Sequence, residues 1–282
     1  MAHLSINFKS EALGMPVVMD AIIPQGHGEY KSLYLLHGAG GGHESWLSKT
    51  RIADYVENTD IAVFMPSGNN KFYVNNVNGK AYSTFITKEI VDKCENWFNI
   101  SRKSEDRFIA GMSMGGYGAI YSALNNMDRY RAAFSYSGLL NILERYDNPQ
   151  GLDLFVPFGT RQELTDNKLD LFGIISEMSG AKCGNESGKM CKTSSNGVTA
   201  YVDKSVDNVD NFCEFVIECG LSDSRINMSR DFVKASQNAS LKVIYREEDG
   251  KHNFEYWDRC VERTVKFIAS GCDGNVYDNG KI

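Results

Sequence analysis

Apolar residues recur along this chain with two alternating periods, and the switches between them predict its elements. Leu4 to Phe8 alternates, and Pro16 to Ile23 gives a second β run ended by Pro24. Two early strands joined by a short turn predict an antiparallel start to a sheet. Ser32 to Leu36 is apolar throughout, as a strand covered on both faces would be. Ser45 to Glu57 reads as a helix, and Ile61 to Met65 as a fourth strand stopped by Pro66-Ser-Gly-Asn-Asn. Thr84 to Phe98 carries a helical period, with Ile86, Ile90, Val91, Cys94, Trp97 and Phe98 on one side. Phe108 to Ala110 is a short buried strand running into a glycine-rich turn and a helix over Tyr117–Leu124. Ala132 to Gly138 reads as the sixth strand, and Phe212 to Gly220 and Leu241 to Tyr245 as the last two, each followed by a helix, over Asn227–Asn238 and Phe254–Ala269. Strands alternating with helices predict an α/β fold with a mostly parallel, doubly wound sheet, in one domain over residues 1–282.

Between about residues 139 and 211 the pattern loosens. Two or three short helices are expected up to Glu177, and the Gly-, Ser-, Asn- and Lys-rich stretch Ser179–Asn211 reads as loop. The whole region is expected to be a cap-like excursion lying over one edge of the sheet. Residues 67–81 form a polar loop whose aromatics Phe72 and Tyr73, with Tyr82 behind them, either line a pocket or pack locally. Asp273 to Ile282 weakly resembles the start of a calcium loop with its spacing off by one, and reads as a disordered polar tail.

Composition narrows the function. With 42% hydrophobic and 23% charged residues in 282, the chain can bury a sizeable core. A net charge of -6 argues against nucleic acid or an anionic membrane as partner. The N-terminus lacks the basic and apolar regions of a signal peptide, and no run is apolar enough to span a bilayer. Seven cysteines occur without a C-x-x-C pair. Cys94, Cys213, Cys219 and Cys260 sit in apolar patterns and read as buried thiols, whereas Cys183 and Cys191 flank a polar loop where a disulfide stays open. The expectation is a reduced, cytoplasmic protein.

Candidate chemistry centres on Gly111-Met112-Ser113-Met114-Gly115, a G-x-S-x-G turn between strand and helix. That context holds a serine hydroxyl out at the carboxyl end of a strand, with free N–H groups behind it for a developing oxyanion. A second glycine run, His37-Gly38-Ala39-Gly40-Gly41-Gly42, closes the third strand. It is no P-loop, because no Gly-Lys-Ser/Thr follows, and no dinucleotide fingerprint. It suits a loop whose backbone N–H must approach a substrate oxygen.

Serine needs a base in reach, and the chain has five histidines. His3 lies at the N-terminus, expected to fray; His27 is at the amino end of the sheet; His37 reads as a structural hydrogen-bonding residue; and His43, in the glycine loop, reads as a solvent-facing histidine or as one bordering the pocket. His252 alone follows the last strand at the carboxyl edge, where it can meet Ser113. A carboxylate must fix that imidazole, in the chain order Ser, acid, His. Asp223, directly after the preceding strand, is preferred over Asp203, Asp207 and Asp210 in the polar loop and over Glu247, Glu248 and Asp249 beside the histidine.

Taken together, Leu35-Leu-His-Gly-Ala-Gly-Gly-Gly with Trp46, Met65-Pro, Lys88-Glu89, Gly111 to Ala119, Cys219-Gly-Leu-Ser-Asp223 and Gly250-Lys-His-Asn-Phe-Glu-Tyr-Trp-Asp258 resemble the esterase D family of α/β hydrolases. The resemblance runs from about residue 15 to 270. The family holds tributyrin-type carboxylesterases, S-formylglutathione hydrolases, feruloyl and acetylxylan esterases and mycolyltransferases, and the Met-Gly-Gly-Tyr-Gly form is nearest to the short-chain carboxylesterases. The resemblance implies the α/β-hydrolase fold, a Ser113–Asp223–His252 triad, and oxyanion donors at the backbone N–H groups of Ala39 and Met114. It implies a small-molecule ester substrate and no metal or organic cofactor. His43, Trp46, Tyr73 and Tyr82 are the candidates for lining the substrate pocket, and a homo-oligomer is open. The polar stretch at 180–211, absent from compact members, leaves the acyl preference open between short-chain esters, feruloyl or acetylxylan esters and a glutathione thioester. A hydrolase fold used only as a binding module is the contrasting reading, but such modules typically lack one of the three residues present here.

Overall fold

The computed structural model describes residues 1–26, 28–77, 79–147, 157–180, 192–193, 198–201 and 213–278. Ten strands among them make one sheet: β1 (Ala2–Ser10), β2 (Met15–Ile23), β3 (Lys31–Leu36), β4 (Ile61–Pro66), β5 (Arg107–Met112), β6 (Ala132–Tyr136), β7 (Lys192–Thr193), β8 (Val198–Tyr201), β9 (Glu214–Gly220) and β10 (Val243–Glu248). Their order is β1-β2-β4-β3-β5-β6-β9-β10-β8-β7. The six strands from β4 to β10 in that order pair in parallel. Antiparallel pairs flank them, β1–β2–β4 on one side and β10–β8–β7 on the other.

Period-two alternation splits the strands between two cores. Leu33, Leu35, Phe108, Ala110 and Met112 face the helices Ser45–Lys49, Ile52–Val56 and Phe254–Ala269. Tyr34, Leu36 and Ile109 face the other layer, which includes Met114–Leu124 and Ile226–Asn238. β4, β5 and β6 are buried at every position, which is why they read as continuous apolar runs. Because β4, β3, β5, β9 and β10 are parallel, the loops leaving their carboxyl ends share one edge.

Five expectations need correction. Ser45–Glu57 is two short helices, not one. Thr50 turns extended at φ -137°, its hydroxyl accepts from Ile52 N–H at 3.4 Å, and the Arg51 N–H is drawn to Asp258 at 2.8 Å. The run from Tyr82 to Trp97 contains a wide π-helical stretch, Phe85–Ile90, at its centre. The stretch read as loop at 179–211 begins with the end of the helix Leu171–Gly180 and supplies β7 and β8; its remaining residues, Cys183 and Cys191 included, lie outside the described ones, as does His27. The tail does not read as disordered through 278: Asn275–Asp278 forms a helical turn, and Tyr277 is fully buried against Phe267. His3, for its part, is paired with Ile22 in β1 rather than frayed.

Candidate active site

Ser113 follows β5 directly and adopts φ 53°, ψ -115°, a backbone region costly for a residue with a Cβ. The surrounding hydrogen bonds over-determine it. Its N–H donates to the Tyr136 carbonyl at 2.9 Å, and its own carbonyl accepts from Tyr117 and Leu139 at 3.2 Å each. The flanking glycines allow the close approach. A Cβ on Gly111 would lie 2.3 Å from the Gly115 oxygen, and one on Gly115 would lie 2.4 Å from the Leu36 oxygen. The helix Met114–Leu124 and β3 therefore touch backbone to backbone beneath the serine.

His252 and Asp223 reach Ser113 from two adjacent loops. His252 Nε2 is 3.0 Å from Ser113 Oγ, and His252 Nδ1 is 2.9 Å and 3.1 Å from the two Asp223 carboxylate oxygens. A carboxylate only accepts, so the imidazole carries its proton on Nδ1 and turns the Nε2 lone pair toward the serine hydroxyl. The loops are fastened to each other: Leu221 N–H donates to Glu248 O at 2.8 Å, and Ser222 N–H to Gly250 O at 3.0 Å. Gly220 is required there, since a Cβ on it would fall 2.4 Å from the Gly250 carbonyl. Asp223 is 3% exposed and also accepts from Arg225 N–H at 2.8 Å. The His252 ring meets the Trp257 indole edge to face at 4.9 Å, and that indole donates to Ser137 Oγ.

A buried charge cluster ties the same two strands to the closing helix. Arg263, on Phe254–Ala269, reaches Glu218 of β9 at 2.6 Å and Glu248 of β10 at 2.9 Å. Arg246 holds Glu248 from the other side at 2.9 Å and donates to the Tyr277 carbonyl of the tail. Burial pushes the Glu218 carboxyl up, and Arg263 opposes that shift.

On the other side of Ser113, the glycine loop after β3 is held by its own histidine. A Cβ on Gly38 would be 3.5 Å from the Ser113 Cβ, so the loop starts against the serine. His37 Nε2 accepts from Gly68 N–H at 2.9 Å, which leaves the proton on Nδ1, donated to Gly38 O at 2.8 Å. Burial lowers the pKa of His37 and keeps this neutral form. Among the described residues, neither the Ala39 nor the Met114 N–H donates to another group. Met114 opens the helix Met114–Leu124, where the first N–H groups have no intrahelical acceptor.

The pocket candidates fare unevenly. Trp46 has no exposed surface; its Nε1 donates to Leu36 O at 3.1 Å and its ring packs on Tyr136 and Phe254. Tyr73 is likewise fully buried, its hydroxyl donating to His37 O at 2.9 Å. Both pack beneath the loops and present no surface for a substrate to touch. Tyr82 is 2% exposed and accepts from Asn69 Nδ2, and His43 pairs with Glu44 at 3.4 Å. Of the rival carboxylates, Glu247 is held by Arg230 and Glu248 by the arginines just described, while Asp203, Asp207 and Asp210 lie outside the described residues. Sequence reasoning missed the loop after β4: Gly68 and Asn70 both bond the glycine loop, but Ser-Gly-Asn-Asn carries no signal beyond a turn. Among the described residues no group of three or more His, Cys, Asp or Glu is placed to hold a metal, and no helix is long and apolar enough to cross a membrane.

The Esterase family model matches residues 10–266. An acetyl esterase of Caldicellulosiruptor saccharolyticus is 26% identical over 286 residues, covering 97% of this chain and 100% of that protein. Two solved structures from Staphylococcus aureus share the fold. The fluorophosphonate-binding serine hydrolase F superposes with a TM-score of 0.79 at 22% identity, over 95% of this chain and 98% of that one. The S-formylglutathione hydrolase FrmB gives 0.77 at 23% identity, with the same coverage. With a sheet of α/β-hydrolase topology and a family match over most of its length, this chain belongs to the Esterase family and is an enzyme acting on ester bonds.

Proposed function

We propose that the chain is a serine carboxylesterase that hydrolyses short-chain acyl esters through an acyl-enzyme intermediate. One observation carries the reading: the Ser113 hydroxyl lies 3.0 Å from an imidazole nitrogen whose opposite nitrogen is bound by a buried carboxylate. His252 Nε2 takes the hydroxyl proton as Ser113 Oγ attacks the ester carbonyl carbon. The carbonyl oxygen becomes an oxyanion and accepts from the Ala39 and Met114 N–H groups. Collapse breaks the bond to the alcohol oxygen, which leaves with the proton held by His252. Water then attacks the acyl-enzyme by the same route and releases the acid. Asp223 balances the imidazolium formed in both halves. The full-length similarity to an acetyl esterase supports a short acyl group. The buried free thiols Cys94, Cys213, Cys219 and Cys260 fit a reducing, cytoplasmic location.

Ser113→Ala is expected to lower kcat for p-nitrophenyl acetate by about 10⁴-fold or more, with the far-UV circular dichroism unchanged. Wild-type turnover in that variant removes the nucleophile assignment. The acyl preference is tested on p-nitrophenyl esters of increasing length beside methyl ferulate and S-formylglutathione. Acetate or butyrate is expected to exceed the others in kcat/KM by at least about tenfold. A preference for ferulate or the thioester overturns the short-chain reading and leaves the triad standing.

A further inference from the structure

The peptide that carries the Ala39 N–H is gripped at its far end. In a planar trans peptide the carbonyl and the N–H point in opposite directions, so fixing one fixes the other. The Gly38 carbonyl, in the same plane as the Ala39 N–H, accepts from His37 Nδ1 at 2.8 Å and from Gly41 N–H at 3.2 Å. The next peptide plane is gripped at its N–H, which Gly40 donates to Asn70 Oδ1 at 2.8 Å. Ala39 is therefore hinged between two planes, one held from within its own loop and one held from outside by a single side chain.

The loop that supplies this side chain is built stiff. Asn69, Phe72 and Tyr73 have φ of 47°, 53° and 59°, an unusual run of left-handed backbone for residues with side chains. Strain of that kind persists where the surroundings over-determine it. Here Gly68 N–H is bound to His37 Nε2, Asn69 Nδ2 to the Tyr82 hydroxyl, and the Tyr73 hydroxyl to His37 O. Phe72 and Tyr73 are fully buried, whereas Asn70 is exposed at the crest between them and β4. An exposed asparagine on a rigid crest, with its carbonyl oxygen on the glycine loop, contributes little to the core.

We propose that Asn70 is a positioning residue for the oxyanion: its side-chain oxygen, by holding the Gly40 N–H, anchors the peptide on the far side of Ala39 and so keeps the Gly38–Ala39 peptide, already held at its carbonyl, from turning its N–H away from the substrate carbonyl oxygen. The inference rests on the reading of Ala39 as an oxyanion donor. It acts through the peptide and makes no contact with substrate. A donor held off its line loses strength where charge develops, so the effect falls on the chemical step rather than on substrate binding.

Asn70→Ala is expected to lower kcat for p-nitrophenyl acetate by about 10- to 100-fold, with KM within about twofold and the melting temperature unchanged. Affinity for a trifluoromethyl ketone, whose hemiketal adduct with the Ser113 oxygen places an oxyanion in the same position, is expected to weaken by the same factor. Asn70→Asp keeps an oxygen in place for Gly40 N–H and is expected to recover most of the loss at about 0.5 M salt, where its added charge is screened. A wild-type kcat in Asn70→Ala, a change in KM alone, or an Asn70→Asp variant no better than Asn70→Ala overturns the inference. Ser113→Ala in parallel keeps the two ideas apart: if it is inactive while Asn70→Ala is normal, only the role of Asn70 falls.

Discussion

At the scale of the residue, His37 is the side chain whose chemistry is most constrained by its surroundings. One ring nitrogen accepts and the other donates, so a second proton would face the Gly68 N–H with another N–H. Burial places its folded pKa below the ordinary 6.5. Between those two values the unfolded chain binds a proton that the folded chain refuses, so stability rises with pH across that window. The contribution is complete above 6.5 and is lost as pH falls toward the folded value. Melting temperature measured from pH 7 down to pH 5 is expected to decline, and His37→Gln to flatten that decline whatever it does to the absolute value. That Ser113, His252 and Asp223 come within hydrogen-bond reach was legible because each follows a strand that ends at the same edge. The contact of Asn70 was not legible, since an Asn in a turn looks the same whether its side chain faces water or a neighbouring loop. Trp46 and Tyr73 were misplaced for a related reason: a five-residue helix and an irregular loop are both too short of repeats for periodicity to say which way an aromatic points.

At the scale of the element, the closing helix does more than cover one face of the sheet. Through Arg263 it clamps β9 and β10, the strands that lead to Asp223 and His252. Removing one partner of such a buried cluster leaves charge without compensation, which is worse than removing the cluster whole. Arg263→Met is expected to destabilise the fold by about 3–5 kcal/mol, measured as a shift in the urea midpoint. Adding Glu218→Met is expected to return part of that loss. An Arg263→Met variant as stable as the parent would show that the clamp is idle. Elements with a strong period were legible to within a residue or two, and Phe254–Ala269 is the plainest, with Asn253 capping it through Tyr256 N–H at 3.2 Å. Breaks made by tertiary partners were not legible: Arg51 leaves the helical path for Asp258, which lies 207 residues away. The tail was misread because its one anchoring aromatic, Tyr277, is surrounded by polar residues and finds its partners only in the folded molecule.

At the scale of the whole molecule, the mixed sheet brings together groups that are remote along the chain. The serine and the imidazole that touches it are 139 residues apart, and between β5 and β10 the sheet must first lay down β6 and β9. Each of those parallel pairings closes a long loop before its contacts can reward it, which makes such topologies slow to form. Strands β1 and β2, joined by a short turn, have no such delay. After dilution from denaturant, the hairpin and the helices are therefore expected to form early, while turnover of p-nitrophenyl acetate returns only with the last kinetic phase, when β10 docks on β9. Catalysis in this protein would then be a late reporter of folding, silent in every species that has collapsed but has not yet finished threading its sheet.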